Sequence, residues 1–199
     1  RVFQRKFNLT VTGTFTQETR NIMKAARCGF PDVIPQEYSV YHKKWAKKAL
    51  TYTIESYTTQ ISQDQQRSEF KRAFDEWARH TQLSFTEVSG TADLKINFYK
   101  KAHGDGSDFD DKNGVLAHAF YPTDGRIHFD DDEEWGVNAS SKKDLYGVML
   151  HEIGHSLGIK HSDISNAVMF PMYSGYIKDL RLHADDVAAI QESYSKYQS

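Results

Sequence analysis

The chain has 199 residues, 39% of them hydrophobic and 13% aromatic, enough for one domain with its own core plus an appendage. A formal net charge of −2 creates no overall field toward nucleic acid, and no apolar run approaches the roughly 20 residues that span a bilayer, so no membrane attachment is evident. The single cysteine, Cys28, rules out an internal disulfide and leaves the compartment open.

The opening RVFQRKF reads as the tail of a helix, and a chain that begins at Arg1 with no visible signal peptide reads as a processed or trimmed fragment. Thr16 can cap a short helix through about Ala26. Gly29, Pro31 and Pro35 then break regular structure, and residues 33–48, which follow neither a helical nor a strand period, read as a linker. Leu50, Tyr52 and Ile54 alternate with polar residues as a half-buried strand. Ser62 and Gln65 form a capping-box pattern ahead of Phe70, Ala73, Phe74, Trp77 and Ala78 at helical spacing. Leu94, Ile96 and Phe98 mark another strand, and VLAHAF (115–120) and RIHF (126–129) mark two shorter ones. Helices follow over about 143–157 and 184–197. This order predicts an α+β fold, a mixed sheet with helices packed on it.

Charge is uneven along the chain. Residues 101–135 hold ten Asp or Glu against three Lys or Arg, which is a solvated loop or a cation site. Asn8-Leu9-Thr10 and Asn138-Ala139-Ser140 match the glycosylation acceptor pattern.

The sharpest signal is HEIGHSLGIKH (151–161). His151 and His155 leave one helix face a turn apart, so two ring nitrogens can reach one zinc. Gly158 can take the positive φ that ends the helix, and His161 can return as a third ligand, leaving one position open. Glu152, beside the first histidine, can take a proton from water and hand it to a leaving amine. Five fixed positions in eleven point to addition of water to an amide.

HEIGHSLGIKHS resembles the zinc motif of the metzincins, and Ser162 after the third histidine is similar to the matrix metalloproteinase branch. Astacin relatives carry Glu at that position and adamalysin relatives carry Asp. AVMFPMY (167–173) resembles the family Met-turn, with Met169 as the floor beneath the metal. ARCGFPD (26–32) resembles the propeptide switch PRCGxPD, with Ala26 in place of the leading proline. The resemblance covers residues 8–197. It implies a twisted five-stranded mixed sheet with three helices, a propeptide end over 1–37 and a catalytic domain over 38–199.

It further implies that Cys28 holds the fourth position of the catalytic zinc and excludes water from it. Gly29 would let the backbone approach closely, and Arg27 would pair with Asp32. No Arg-x-Lys-Arg stretch lies between Cys28 and Leu50, so activation near Tyr38–Tyr41 by a proprotein convertase is not expected.

His103, Asp105, His118 and His128 form a complete zinc-type donor set, and the resemblance gives them a structural zinc. Asp110, Asp130 and Glu133 can supply carboxylates to at least one calcium, and by resemblance Asp111, Asn113 and Val115 add backbone carbonyls. The stretch between His118 and His128 is shorter than the family's glycine-rich loop, leaving Asp93 and Asp124 as remnants at most of a second calcium site.

VLAHAF resembles the edge strand along which substrates lie extended, with Leu116 and Ala117 as backbone contacts. Pro171 and Tyr173 would line the pocket for the side chain after the cut bond. Gly147, four residues before His151, would make that pocket deep enough for large apolar groups. Asp185 would pair with the new α-amino group after activation. Secretion, extracellular or matrix-protein substrates and protein inhibitors of metalloproteinases are implied partners and setting. The rival expectation is a metal-braced binding module without catalysis, against which an intact Glu152 argues.

Overall fold

The computed structural model describes residues 1–32 and 44–195. The activation point expected near Tyr38–Tyr41 and most of the expected linker fall on residues 33–43, outside the described residues.

Helices α1 (Val2–Lys6) and α2 (Gln17–Lys24) are joined around one buried amide, that of Gln4. Its nitrogen donates to Thr12, Thr14 and Thr19, and its oxygen accepts from Gly13 N at 3.0 Å. Thr16 caps α2 as its sequence predicts, by accepting from Thr19 N. Strand β1 (Arg27–Cys28) follows directly after Ala26, where the glycine and prolines had suggested no regular element.

Strands β2 (Ala49–Ile54), β3 (Ser84–Glu87), β4 (Leu94–Tyr99), β5 (Val115–Ala119) and β6 (Arg126–Asp130) form the five-stranded sheet, and β1 adds a sixth strand in the order β1-β5-β6-β4-β2-β3. Every pairing is parallel except β5 with β6. A second small pair joins β7 (Trp135–Gly136) and β8 (Lys143–Asp144). The sequence pattern did not mark β3, β7 or β8. Only Phe85 of β3 offers a large apolar group, and β7 and β8 have two residues each.

Helix α3 (Gln63–Arg79) buries Phe70, Ala73, Phe74 and Trp77 against the sheet. Phe74 stacks on Tyr52 at 4.3 Å, and Phe70 stacks on Phe98 and Phe129. Burial of each such ring stabilises the fold by about 1.5–3 kcal/mol. The expected capping box forms by half: Ser62 Oγ accepts from Gln65 N, and the Gln65 side chain bonds the Ser62 hydroxyl. Trp77 Nε1 donates to Leu150 O of helix α4 (Leu145–Ser156), fixing the two helices side by side.

Helix α5 (Ala184–Tyr194) closes the fold. Its Tyr194 hydroxyl accepts from Trp45 N and donates to Leu157 O. Trp45 is buried, so this end of the expected linker is packed against the domain. No helix among the described residues is long and apolar enough to cross a membrane.

Candidate metal centre and cleft

Asp144 accepts from Gly147 N and starts α4, a cap readable in the sequence as an acid just before an apolar helix. Of the twelve residues of α4 only Gly147 is not buried, so the helix runs through the core and presents His151 and His155 from a rigid support. Gly158, at φ +100°, ends it, with Ile159 N returning to Gly154 O. The chain turns back and brings in His161.

The ring nitrogens of these three histidines and Cys28 Sγ all lie within 4.8 Å of one another. His151 Nδ1–H donates to Val168 O at 2.6 Å, and His155 Nδ1–H donates to Ile159 O at 2.7 Å. Each Nε2 is therefore left with its lone pair, because burial holds His155 well below the usual range and His151 down to about 3. Those two lone pairs face each other at 3.1 Å. Two acceptors that close repel unless a cation lies between them, so the donor set fits a metal ion. His161, lowered by burial against the opposing pull of Asp32 beside its Nδ1, keeps Nε2 free of any hydrogen bond.

Glu152 is fully buried beside them with both carboxylate oxygens unbonded, and burial pushes its acid up to about 8. Cys28 is buried, and burial together with nearby Glu152 pushes its thiol up in the metal-free protein. A metal ion reverses that preference, because a coordinated thiol loses its proton. Phe30 N donates to Cys28 Sγ at 3.2 Å.

Beneath the cluster, Met169 is buried with its sulfur 2.3 Å from where a Cβ on Gly154 would stand. Asp186 holds that turn by accepting from Val168 N at 2.8 Å and Met169 N at 3.0 Å. The sequence offered only two acids opening a helix, with no sign of this longer reach. Asp185 accepts from Ser162 Oγ at 2.5 Å.

The second histidine group also gathers. His118 and His128 stand opposite each other across β5 and β6, so the short loop still brings the second strand into place. One oxygen of Asp105 meets His103 Nε2 at 2.8 Å, His118 Nε2 at 2.7 Å and His128 Nδ1 at 2.8 Å. Burial would raise Asp105, but Ser107 N and the imidazoles hold it well below the carboxylate range. Three nitrogens converging on one carboxylate are a closed, zinc-type set.

In the neighbouring acidic loops, Asp110 Oδ1 accepts from Val115 N, and Asp111, Asn113 and Gly114 turn the chain at positive φ. Asp130 Oδ2 and Glu133 Oε1 are buried without partners, and burial beside Asp132, Glu133 and Asp110 pushes Asp130 up to about 7. Lys100 pairs with Asp132 and Lys101 with Asp111, but those Asp130 and Glu133 oxygens stay without a partner, which fits a hard cation. Asp93 is taken by Lys47 and Thr51, and Asp124 by Arg126, so protein donors occupy both remnants of a second site.

The outer edge of β5 is occupied by the chain itself. Arg27 N donates to Gly114 O and Gly29 N to Ala117 O. On the opposite wall, Cys28 N donates to Pro171 O and Tyr173 N to Ala26 O. A Cβ on Gly29 would stand 2.6 Å from Val115 Cγ1, so only glycine permits that approach. Arg27 pairs with Asp32 as expected. Beside Cys28 opens a cavity of about 610 Å³, its mouth included, lined by Leu116, Gly147, Pro171, Tyr173 and Leu180.

The matrixin (Peptidase_M10) family model matches residues 44–195. The chain is 43% identical over 200 residues to interstitial collagenase of Bos taurus, covering 98% of this chain and 42% of that protein. It is 42% identical over 196 residues to neutrophil collagenase of Homo sapiens, covering 96% and 42%. It is 40% identical over 195 residues to the hatching enzyme of Paracentrotus lividus, covering 96% and 33%. The chain thus spans between a third and about two-fifths of the length of these relatives. The chain belongs to the matrixin family of zinc metalloendopeptidases.

Proposed function

We propose that this chain is the latent form of a zinc endopeptidase that cleaves extracellular matrix proteins before a large apolar residue, with residues 1–37 as its inhibitory segment and 38–199 as its catalytic unit. His151, His155 and His161 would hold the catalytic zinc, and Cys28 its fourth position. The observation that carries this reading is the convergence of Cys28 Sγ on the three imidazoles beside an unbonded, buried Glu152. The ion supplies Lewis acidity toward water and a carbonyl oxygen.

Glu152 takes the proton of the attacking water and delivers it to the leaving amine nitrogen, a task for which both of its oxygens are left unbonded. Met169 and Asp186 keep the histidines aimed. The substrate takes the place of residues 27–29 along Leu116 and Ala117, and the cavity at Gly147, Pro171 and Tyr173 receives the side chain after the cut bond. His103, Asp105, His118 and His128 would hold a structural zinc. Asp110, Asp130 and Glu133 would hold calcium with the carbonyls of Asp111, Asn113 and Val115.

The collagenase relatives support matrix proteins as substrates, and with them secretion and control by protein inhibitors. Activation follows cleavage near Tyr38–Tyr41 or loss of the sulfur bond, after which Asp185 can pair with the new amino group. Peptide hydrolysis by the full chain, before and after a thiol-directed mercurial, tests the reading alongside metal analysis. The expectation is two zinc ions per chain, slow hydrolysis before treatment and fast hydrolysis after it. Equal rates before and after would overturn the latent assignment.

A further inference from the structure

Two acceptor triplets of the sequence take no part in the mechanism above, Asn8-Leu9-Thr10 and Asn138-Ala139-Ser140. The second lies on the catalytic unit, in the connection between β7 and β8. Asn138 and Ser140 are both exposed, and Asn138 stands in the left-handed region at φ +54°. Asparagine tolerates that region, so the turn by itself accounts for the residue. It does not account for a free amide. An asparagine kept for its turn bonds the nearby backbone through its side chain. Among the described residues the Asn138 side chain has no hydrogen bond, and neither has that of Ser140. Only the Asn138 main chain is tied, its N–H donating to Asp144 Oδ1 at 3.1 Å. Asp144 accepts from Gly147 N through its other oxygen and donates its own N–H to the Tyr173 hydroxyl at 2.7 Å. One residue thus fastens the exposed asparagine to two residues that line the cavity beside Cys28.

We infer that Asn138 carries an N-linked glycan, set beside the cleft on the side of that cavity. The inference rests on the proposed passage of the chain through the secretory route, where the donor, a lipid pyrophosphate-linked oligosaccharide, is found. Asn138 Nδ2 attacks the anomeric carbon of that donor. The C–N glycosidic bond forms, the C–O bond to phosphate breaks, Nδ2 gives up one proton and the lipid pyrophosphate departs. Nothing is oxidised or reduced. The product keeps the fold, because the amide hydrogen that is lost serves no partner and the sugar leaves outward from an exposed turn. Asn8 is exposed too, but it belongs to the inhibitory segment and departs with it, whereas a glycan on Asn138 stays with the active enzyme. Standing next to the residues that receive substrate, it obstructs a broad folded protein more than a short extended peptide.

The test uses the full chain with Asn8→Gln, made in animal cells behind a secretion leader, so that any N-glycan reports Asn138. The secreted chain should lose one mobility step on treatment with a peptide N-glycosidase, and peptide mass should show Asn138 converted to aspartate. Ser140→Ala, which leaves the asparagine in place, should abolish the step, and Ser140→Thr should retain it. After mercurial treatment, Ser140→Ala should raise kcat/KM for a folded protein substrate more than for a short peptide. Secreted chain with Asn138 unmodified overturns the site, as does a step that survives Ser140→Ala. Equal changes for protein and peptide overturn the shielding role. The leader supplies entry to the secretory route, so these outcomes are independent of the proposed function; a treated chain that hydrolyses no peptide counts against the endopeptidase reading alone.

Discussion

Asp32 Oδ1 lies 3.3 Å from Nδ1 of His161, while its other oxygen pairs with the Arg27 guanidinium. Both partners of that ion pair are more than nine-tenths buried, and Arg27 also lies over the Phe3 and Phe7 rings. One carboxylate thus ties the strand that delivers Cys28 to a histidine of the metal cluster. Removing one partner of a buried pair leaves the other charge uncompensated, a cost of about 3–5 kcal/mol. Asp32→Ala should therefore raise hydrolysis by the untreated chain at least about 10-fold. The Lys6–Asp163 pair also bridges the two parts, but Asp163 is 79% exposed, and such pairs contribute about 0–1 kcal/mol. Lys6→Ala should change the same rate by less than about 5-fold. Peptide assays without activator check both; an Asp32→Ala chain as silent as its parent would remove the carboxylate from the account of latency.

Glu152 has no hydrogen-bond partner and no exposure, which is a costly placement for an acid with only a structural role. Glu152→Gln keeps its shape and volume but cannot accept the proton. After mercurial treatment its kcat should fall by about 10²- to 10⁴-fold, with zinc content and thermal midpoint close to those of the parent. Retention of more than a tenth of the activity would mean that another group moves the proton.

The unpaired acids of the loop beside β6 give opposite signs with and without a cation. In chelator, Asp130 and Glu133 are desolvated and face each other and Asp110, so Asp130→Asn should stabilise the chain. With calcium at about 100 times its dissociation constant, the parent should gain about 2.7 kcal/mol, or roughly 5–10 °C in midpoint, and the variant should gain little. Thermal unfolding in calcium-buffered solution measures this. A parent midpoint indifferent to calcium would leave the acidic cluster without its proposed ion.

How much of this was readable in advance depended on whether chemistry fixed a spacing. His151, Glu152, His155 and His161 were legible because a metal needs donors one helical turn apart and a glycine to bring the chain back. His118 and His128 were legible because alternation put both on strands, although their cross-strand register was not. Asp186 was missed because its partners, Val168 and Met169, lie far away in the chain, where no period relates them. Strand β3 escaped for a different reason: its pattern of exposed and half-buried residues follows from lying at the sheet edge.

Two glycines of α4 should respond to the same substitution in opposite directions. A Cβ on Gly147 would stand 3.5 Å from Asp144 Oδ2 and 3.5 Å from Leu180 Cδ2, an ordinary contact distance. Gly147→Ala should then be accepted and stabilise the chain by up to about 1 kcal/mol, the difference in helix propensity. A Cβ on Gly154 would meet Met169 Sδ at 2.3 Å and Trp77 Cζ2 at 3.0 Å, both fully packed, so Gly154→Ala should cost about 1–3 kcal/mol. Only Gly147 borders the cavity, so a larger group there should act on specificity. Gly147→Leu would extend toward Leu180 and reduce cleavage before phenylalanine by about 10- to 200-fold, while cleavage before alanine changes far less. Thermal melts and a peptide series varied at the residue after the bond read both effects. If the parent cut before alanine and leucine equally well, the cavity would have no claim to that residue, whatever Gly147→Leu did.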